Sequence, residues 1–194
     1  TDLVQQSQYI NLFREENKNA FVLTHSIDQP FISSLEMGDD NVKFQRIDAQ
    51  VTEDFVEEMS EEEIKEKKDA LTEIFKKALG KENLDVRVEK MKNEKIASMI
   101  TMSEETRRMQ DMMKMYAMNG MGAMGDFGGE TLVLNVANPL VQYVESHKDG
   151  DKTDLFCKQL YDLAMISHKP LEPEEMTEFV MRSNEIMELL AKEK

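Results

Sequence analysis

Residues 173–190 read PEEMTEFVMRSNEIMELL, in which apolar side chains recur every three or four positions. This spacing places them along one face of a helix that begins at Pro173, because an α-helix turns once in about 3.6 residues. The face consists of Met176, Phe179, Val180, Ser183, Ile186, Met187 and Leu190, with Leu189 on its flank. The sequence therefore predicts a long amphipathic helix at this end of the chain.

A second apolar helix is predicted just before it, over residues 153–167. Its apolar residues cover more than one face, and they are Leu155, Phe156, Leu160, Leu163, Ala164 and Ile166, widened by Tyr161 and Met165. The short KPLEP turn at 169–173 lays the two helices side by side, yet together they carry more apolar surface than they can bury on each other. We expect a second copy of the chain to cover the excess and to form a four-helix bundle. The alternative is that a sheet of the same chain covers it.

The two-fold dimer predicted in this way brings equivalent side chains of the two copies together and buries about 1,600 Å² or more in total. The predicted dimerisation residues are Leu160, Leu163, Ala164, Phe179, Val180, Ile186, Leu189 and Leu190.

The remainder of the chain mixes strand and helix patterns. Residues 20–24 and 42–47 have the apolar content of short strands on either side of a helix that begins at Asp28. A strongly acidic run follows at 52–69 and marks a domain boundary, after which a helix ends at Gly80. Two further strands are predicted at 84–89 and 131–136, and Asn138-Pro139 begins a short helix.

These elements predict an α+β fold with two domains. A small strand-helix-strand subdomain occupies residues 1–55. A helix-rich domain with a short sheet and the terminal helix pair occupies residues 56–194.

Nine of the sixteen methionines lie between Met99 and Met124. Ser103 is a suitable N-cap for a helix that runs to about residue 118, and the following residues 119–129 hold five of the eight glycines. Met109, Met112, Met113 and Tyr116 form one stripe of that helix. Methionine adapts to many apolar shapes, so the stripe suits a surface for varied partners, although it equally suits a core.

Composition and motifs exclude several function classes. The formal charge of −15, from 24 basic and 39 acidic residues, disfavours binding to nucleic acids and to anionic membranes. No phosphate loop, dinucleotide turn, zinc-protease helix or nucleophile elbow occurs, and the three histidines are far apart in sequence. We therefore predict no catalytic, metal or cofactor residues, and an enzyme whose active site is assembled from distant residues stays open as the weaker alternative.

The single cysteine, Cys157, excludes a disulfide within the chain and fits a reducing compartment, by default the cytoplasm, although this thiol could link two copies. No apolar run is long enough to span a bilayer, and the first residues lack the pattern of a signal peptide. The missing initiator Met suggests that the sequence is a segment of a longer protein.

Five segments, taken in order, resemble bacterial-type members of the 90-kDa heat-shock chaperone family. They are LTHSIDQPF (23–31), FQRID (44–48), SMITMSEETRRM (98–109), LVLNVANPLV (132–141) and QLYDLAM (159–165). The resemblance extends over essentially the whole chain. It implies that residues 1–55 end the family's middle domain and that residues 56–194 form its C-terminal dimerisation domain.

The resemblance also implies a function. The family is an ATP-dependent chaperone whose two subunits join at the terminal helix pair and hold unfolded client proteins, and its client-contacting helix matches Met109, Met112, Met113 and Tyr116. ATP and magnesium bind in an N-terminal domain that this sequence lacks, so we expect no ATPase activity here. The ending AKEK differs from the tail read by tetratricopeptide cochaperones, which are therefore not expected. The alternative is a purely structural dimerisation module that contacts no client.

Overall fold

The computed structural model of the protein describes residues 6–25, 27–49, 55–103, 105–106, 108–109, 112–113, 129–150 and 152–192. The named helices are α1 (Ser7–Glu15), α2 (Asp28–Gly38), α3 (Glu61–Leu79), α4 (Pro139–Ser146), α5 (Thr153–Ile166) and α6 (Pro173–Lys192). The named strands are β1 (Asp85–Glu89), β2 (Ser98–Met102) and β3 (Glu130–Asn135). The predicted α+β class is confirmed, whereas the domain boundary near residue 55 stays a prediction.

Local capping explains where several helices begin and end. The Ser60 hydroxyl accepts a hydrogen bond from the Glu63 backbone N–H at 3.2 Å, and α3 ends at Gly80, whose φ of 64° lies in the left-handed region. The Asn138 side chain accepts from the Leu140 N–H at 2.9 Å, with Pro139 in the first turn of α4. The predicted end of α3 at Gly80 and the predicted start of α4 at Asn138-Pro139 are confirmed.

The sheet has the order β1-β3-β2, with β3 in the centre. β1 runs parallel to β3 and β2 runs antiparallel to it, so that Val86 and Ile100 both lie beside Leu132. β1 and β3 are the two strands predicted in this region. β2 was not predicted, because all five of its residues are buried and its sequence lacks the alternation that marks a half-exposed strand.

Two apolar clusters cover the two faces of this sheet. On one face, α3, α4 and α5 pack against β1, Ile100, Leu132 and Leu134. On the other face, Tyr9 and Leu12 of α1 pack with Met99 and Val133. The Tyr9 hydroxyl donates a hydrogen bond of 2.5 Å to the Ile100 carbonyl, so α1 is joined to β2 by a polar contact as well. The sheet is therefore an inner layer with helices on both sides.

The two strands predicted at 20–24 and 42–47 are corrected by the structure, although the helix between them is present as α2. Residues 20–24 and 42–46 have no regular secondary structure, and Phe21 is 89% exposed. A strand needs a neighbour to satisfy its backbone donors and acceptors, and neither segment pairs with the described sheet. The Phe44 N–H instead donates to the Glu36 carboxylate at 2.9 Å.

The helix predicted from Ser103 is partly described. The Ser103 hydroxyl accepts from the Thr106 N–H at 3.1 Å, and residues 105, 106, 108, 109, 112 and 113 are helical. Tyr116 and the glycine-rich residues up to 128 lie outside the described residues.

Candidate interaction surfaces

Helix α5 is largely committed to the core of its own chain. Leu160 and Ala164 are fully buried against the sheet and α3, and the Ser98 hydroxyl donates to the Leu160 carbonyl at 2.7 Å. Cys157 is also buried, which raises the pKa of its thiol to about 12. These side chains hold α5 on its own sheet, whereas Leu163 of the same helix is exposed.

Helix α6 lies on α5 and leaves much of its apolar surface uncovered. Phe179, Ile186 and Leu189 are half-buried. By contrast, Leu163 of α5 and Val180 and Leu190 of α6 are 45%, 49% and 66% exposed. Of the eight residues predicted for dimerisation, two are therefore in the core of this chain and six are half-buried or exposed.

The exposed apolar residues of α6 form a continuous strip, which we call the outer stripe and define as Met176, Val180, Met187 and Leu190. Successive members are four, seven and three residues apart, the spacing of one helical face. All four are exposed, from 39% at Met176 to 66% at Leu190. Sequence periodicity placed Met176 and Met187 on this face, but only the structure shows that the stripe is uncovered in the single chain.

A polar network in the contact between α5 and α6 was not predicted. Arg182 is buried, and its Nε donates to the Gln159 side-chain oxygen at 3.0 Å, while its Nη2 donates to the Asp162 carboxylate. Gln159 also donates to the Ser183 hydroxyl at 3.0 Å. Burial raises the pKa of Asp162, and Arg182 opposes that rise. In the sequence, Arg182 is a single arginine at the border of an apolar helical face. Its position there does not reveal which residues it contacts.

The turn between α5 and α6 is anchored to the sheet by charge. The Lys169 ammonium lies 2.7 Å from the carboxylate of Glu130, the first residue of β3. Glu130 is mostly buried, with 18% of its side chain exposed, so the pair is less screened by solvent than a surface pair. This contact holds the turn that precedes α6 at the beginning of the central strand.

The predicted client-contacting stripe is exposed where the structure describes it. Met109 is 48% exposed, Met112 is 53% exposed and Met113 is half-buried, whereas Tyr116 lies outside the described residues. A second apolar strip lies nearby and consists of Ile27, which directly precedes α2, and Phe31 and Leu35 of α2, at 72%, 60% and 40% exposure. Their exposure makes both strips candidate interaction surfaces.

An ion pair connects α2 with the methionine-bearing residues. Arg108 Nη2 lies 3.1 Å from the Glu36 carboxylate, and a groove of about 640 Å³ opens beside it. The Phe44 backbone N–H, assisted by Arg108, holds the pKa of Glu36 below its ordinary value. Most of the residues that line the groove are polar or charged, including Lys43, Gln45 and Glu105.

Other chemistry finds no support in the described part of the chain. No group of three or more His, Cys, Asp or Glu residues there is arranged to hold a metal ion. No helix among these residues combines the length and the apolar content needed to cross a membrane.

Comparisons with known proteins identify relatives of this chain. The model of the family described as Hsp90 protein matches residues 1–193. The chain is also similar to a chaperone protein HtpG of Bacteroides thetaiotaomicron, with 29% identity over 153 residues. That match covers 75% of this chain and 22% of the relative, so the chain spans less than a quarter of the relative's length.

Proposed function

Because this chain belongs to the Hsp90 protein family, we propose that it is the part of a chaperone that joins two subunits and offers an apolar surface to unfolded client proteins. The outer stripe supports the first part of this proposal, the joining of two subunits. Four exposed apolar side chains on one helical face are a large apolar area to leave in water on an acidic chain. A second copy that presents the same stripe would bury both.

The occupant that fits the outer stripe best is a second copy of the chain. The stripe bears no charged residue among its four members, and the neighbouring Leu163 of α5 extends the apolar area. Two α5–α6 pairs packed in this way form a four-helix bundle. Because each copy has a formal charge of −15, long-range repulsion opposes association, and the apolar contact must overcome it.

Met109 and Met112 support the second part of the proposal, an apolar surface for unfolded clients. About half of each side chain is exposed, whereas the methionines that fill the core, such as Met91 and Met99, are 1% exposed. A flexible thioether can repack against different apolar groups, which suits clients that share no sequence. The alternative, a purely structural dimerisation module, assigns these two exposed methionines no partner.

Sedimentation equilibrium tests dimerisation. We expect a dimer at tens of micromolar, strengthened by added salt because salt screens the repulsion between acidic copies. Val180→Ser combined with Met187→Ser should weaken the dimer by about a hundredfold or more, as several apolar side chains lose their burial. Met181→Ser is the matched control, since Met181 is 67% exposed on the same helix but outside the outer stripe. A monomeric parent chain at these concentrations would refute the dimer.

Binding to a permanently unfolded, reduced and alkylated protein tests the client surface. We expect Met109→Ser with Met112→Ser to weaken this binding while leaving the dimer and the free energy of unfolding nearly unchanged. Met181→Ser again serves as the control. Unchanged client affinity in the double variant would favour the purely structural alternative. A loss of several kcal/mol in stability would show instead that the methionines are internal.

The proposal assigns no enzymatic activity to this chain alone. ATP and magnesium would bind elsewhere in the whole chaperone, and the expected location is the cytoplasm. Nucleic acids, membranes and tetratricopeptide cochaperones are not expected partners, given the charge of the chain and the family resemblance. Turnover of ATP by the isolated chain would contradict this part of the proposal.

A further inference from the structure

A network of polar side chains crosses the contact between α5 and α6. Arg182 donates to both Gln159 and Asp162 of α5, while Gln159 reaches Ser183 on the next position of α6. Ser183 in turn donates to the Phe179 carbonyl at 2.8 Å within α6. Three side-chain hydrogen bonds thus cross between the helices within about one turn of each.

The energetics of this network favour a role in orienting α6 over a role in stabilising the chain. Only 10% of the Arg182 side chain and 17% of the Asp162 side chain are exposed, so both charges have lost most of their hydration. The attraction in such a pair roughly offsets the desolvation, and well-packed apolar residues are commonly as stable in its place. Hydrogen bonds are directional, however, and a rotation of α6 by one residue, about 100°, would break all three crossing bonds.

The rotation of α6 determines which side chains face a partner. With Arg182 turned toward α5, the centre of the outer stripe lies about a third of a turn away around the helix, and Ser183 lies between the two. Apolar packing alone fixes this rotation weakly, because Phe179, Ile186 and Leu189 on one side and Met176, Val180 and Met187 on the other form adjoining apolar faces. Either face could pack on α5 in the absence of the network.

We infer that the Arg182–Gln159–Asp162 network is a positioning device that sets the rotation of α6, so that a second copy of this chain meets the outer stripe. This inference rests on the proposed function and identifies residues that specify the homodimer without lying in its apolar contact. Arg182, Gln159 and Asp162 act through the orientation of α6.

Cross-linking from single cysteines tests the inference on the full chain. Met187→Cys places a thiol in the outer stripe, and Met181→Cys places one outside it. Cys157 contributes little background to a bis-maleimide reagent, since it is buried and its pKa is raised to about 12, which disfavours the reactive thiolate. In the otherwise unchanged chain we expect dimers to be cross-linked through position 187 and not through position 181.

The network is then removed with Asp162→Leu combined with Arg182→Met, which keeps the contact apolar. We expect helix content by circular dichroism to stay unchanged, while the dimer dissociation constant rises at least about tenfold and cross-linking shifts from position 187 toward 181. Gln159→Met is a milder second variant that keeps the ion pair, so a test remains if the double variant does not fold. Lys192→Met is the matched control, because Lys192 is an exposed cation of the same helix.

The outcomes separate the inference from the proposed function. If the double variant and Gln159→Met keep the parent dissociation constant within about twofold and the parent cross-linking pattern, the positioning role is overturned and the dimer stands. If the parent chain is monomeric and Met187→Cys does not cross-link, the proposed dimer itself fails.

Discussion

Arg108 Nη2 lies 3.1 Å from the Glu36 carboxylate and thereby joins the helical residues that carry Met109 to the C-terminal part of α2. More than half of the Arg108 side chain is exposed, so solvent and salt weaken this pair. The Glu36 carboxylate is better enclosed, and it also accepts the Phe44 N–H. The ion pair therefore links the exposed apolar surface of α2 to the one around Met109.

Arg108→Gln tests that contact. We expect amide hydrogen exchange at Thr106, Met109 and Met113 to accelerate by no more than about fivefold, as is usual for a pair with one exposed partner. In the parent, the protection factors of these amides, which correct for the pH dependence of intrinsic exchange, should fall as pH drops, because the lowered pKa of Glu36 means that the contact is intact above about pH 4.5 and is lost as Glu36 is protonated below it. Arg14→Gln, on α1, is the control. Exchange that is insensitive to both changes would show that the pair does not hold these residues.

Tyr9→Phe probes how firmly α1 is attached to the sheet. Loss of the buried hydrogen bond to the Ile100 carbonyl should lower the free energy of unfolding by about 1 to 1.5 kcal/mol. Tyr9→Ala should lower it by roughly 3 to 5 kcal/mol, because it also leaves a cavity among Phe55, Met91 and Met99. Phe21→Ala, at a position 89% exposed, should have little effect in urea denaturation. If Tyr9→Ala is equally harmless, α1 does not belong to this core.

Asn135 is a fully buried amide at the end of β3 whose hydrogen-bonding groups are all used. Its oxygen accepts from the N–H groups of Met91 and Ala137, and its nitrogen donates to the carbonyls of Asn93 and Ile96. Asn135→Ala leaves these backbone groups unsatisfied, so we expect a loss of about 3 kcal/mol or more in urea denaturation. Asn138→Ala, which also removes a mostly buried amide but fewer crossing bonds, should be milder. Equal losses at the two positions would contradict the special role of Asn135.

Arg182→Met should destabilise the chain in a pH-dependent way. At pH 7 it leaves the Asp162 carboxylate buried without its cation, which should cost about 3 kcal/mol. Burial already raises the pKa of Asp162, and loss of the opposing Arg182 raises it further in the folded variant. A raised folded pKa gives stability at low pH that is lost as pH rises through it, and the defect should therefore shrink toward pH 4.

The matched control for that prediction is Asp162→Asn combined with Arg182→Met, which has no carboxylate to titrate at this position. Its unfolding free energy relative to the parent should change far less between pH 7 and pH 4. A constant defect in Arg182→Met across this range would show that Asp162 is already protonated or well hydrated in the folded chain.

Several elements could be predicted from the sequence because they depend on neighbours along the chain. Ser60 and Gly80 delimit α3 through contacts within a few residues, and Asn138-Pro139 begins α4 in the same way. The apolar spacing of α6 likewise follows from helical geometry alone. The family resemblance is a property of ordered sequence segments, and the match over residues 1–193 confirms it.

The wrong or missing predictions concern elements whose structure depends on residues far away in the sequence. β2 is a strand because β3 lies beside it and both of its faces are covered, although its residues do not alternate. Residues 20–24 have the composition of a strand but no described strand lies beside them. Arg182 finds its partners 20 and 23 residues earlier, on another helix, which no local pattern reveals.

The sequence by itself determined the class of fold, the ends of several helices and the presence of more apolar side chains in α5 and α6 than those two helices can bury on each other. The tertiary structure decided which of these side chains are buried and which are exposed, with Leu160 and Ala164 inside the core and Val180 and Leu190 facing water. The physical reason is that the spacing of side chains along a helix is set by its own backbone. The burial of a side chain depends on which remote elements pack against it, and that is fixed only when the whole chain has folded.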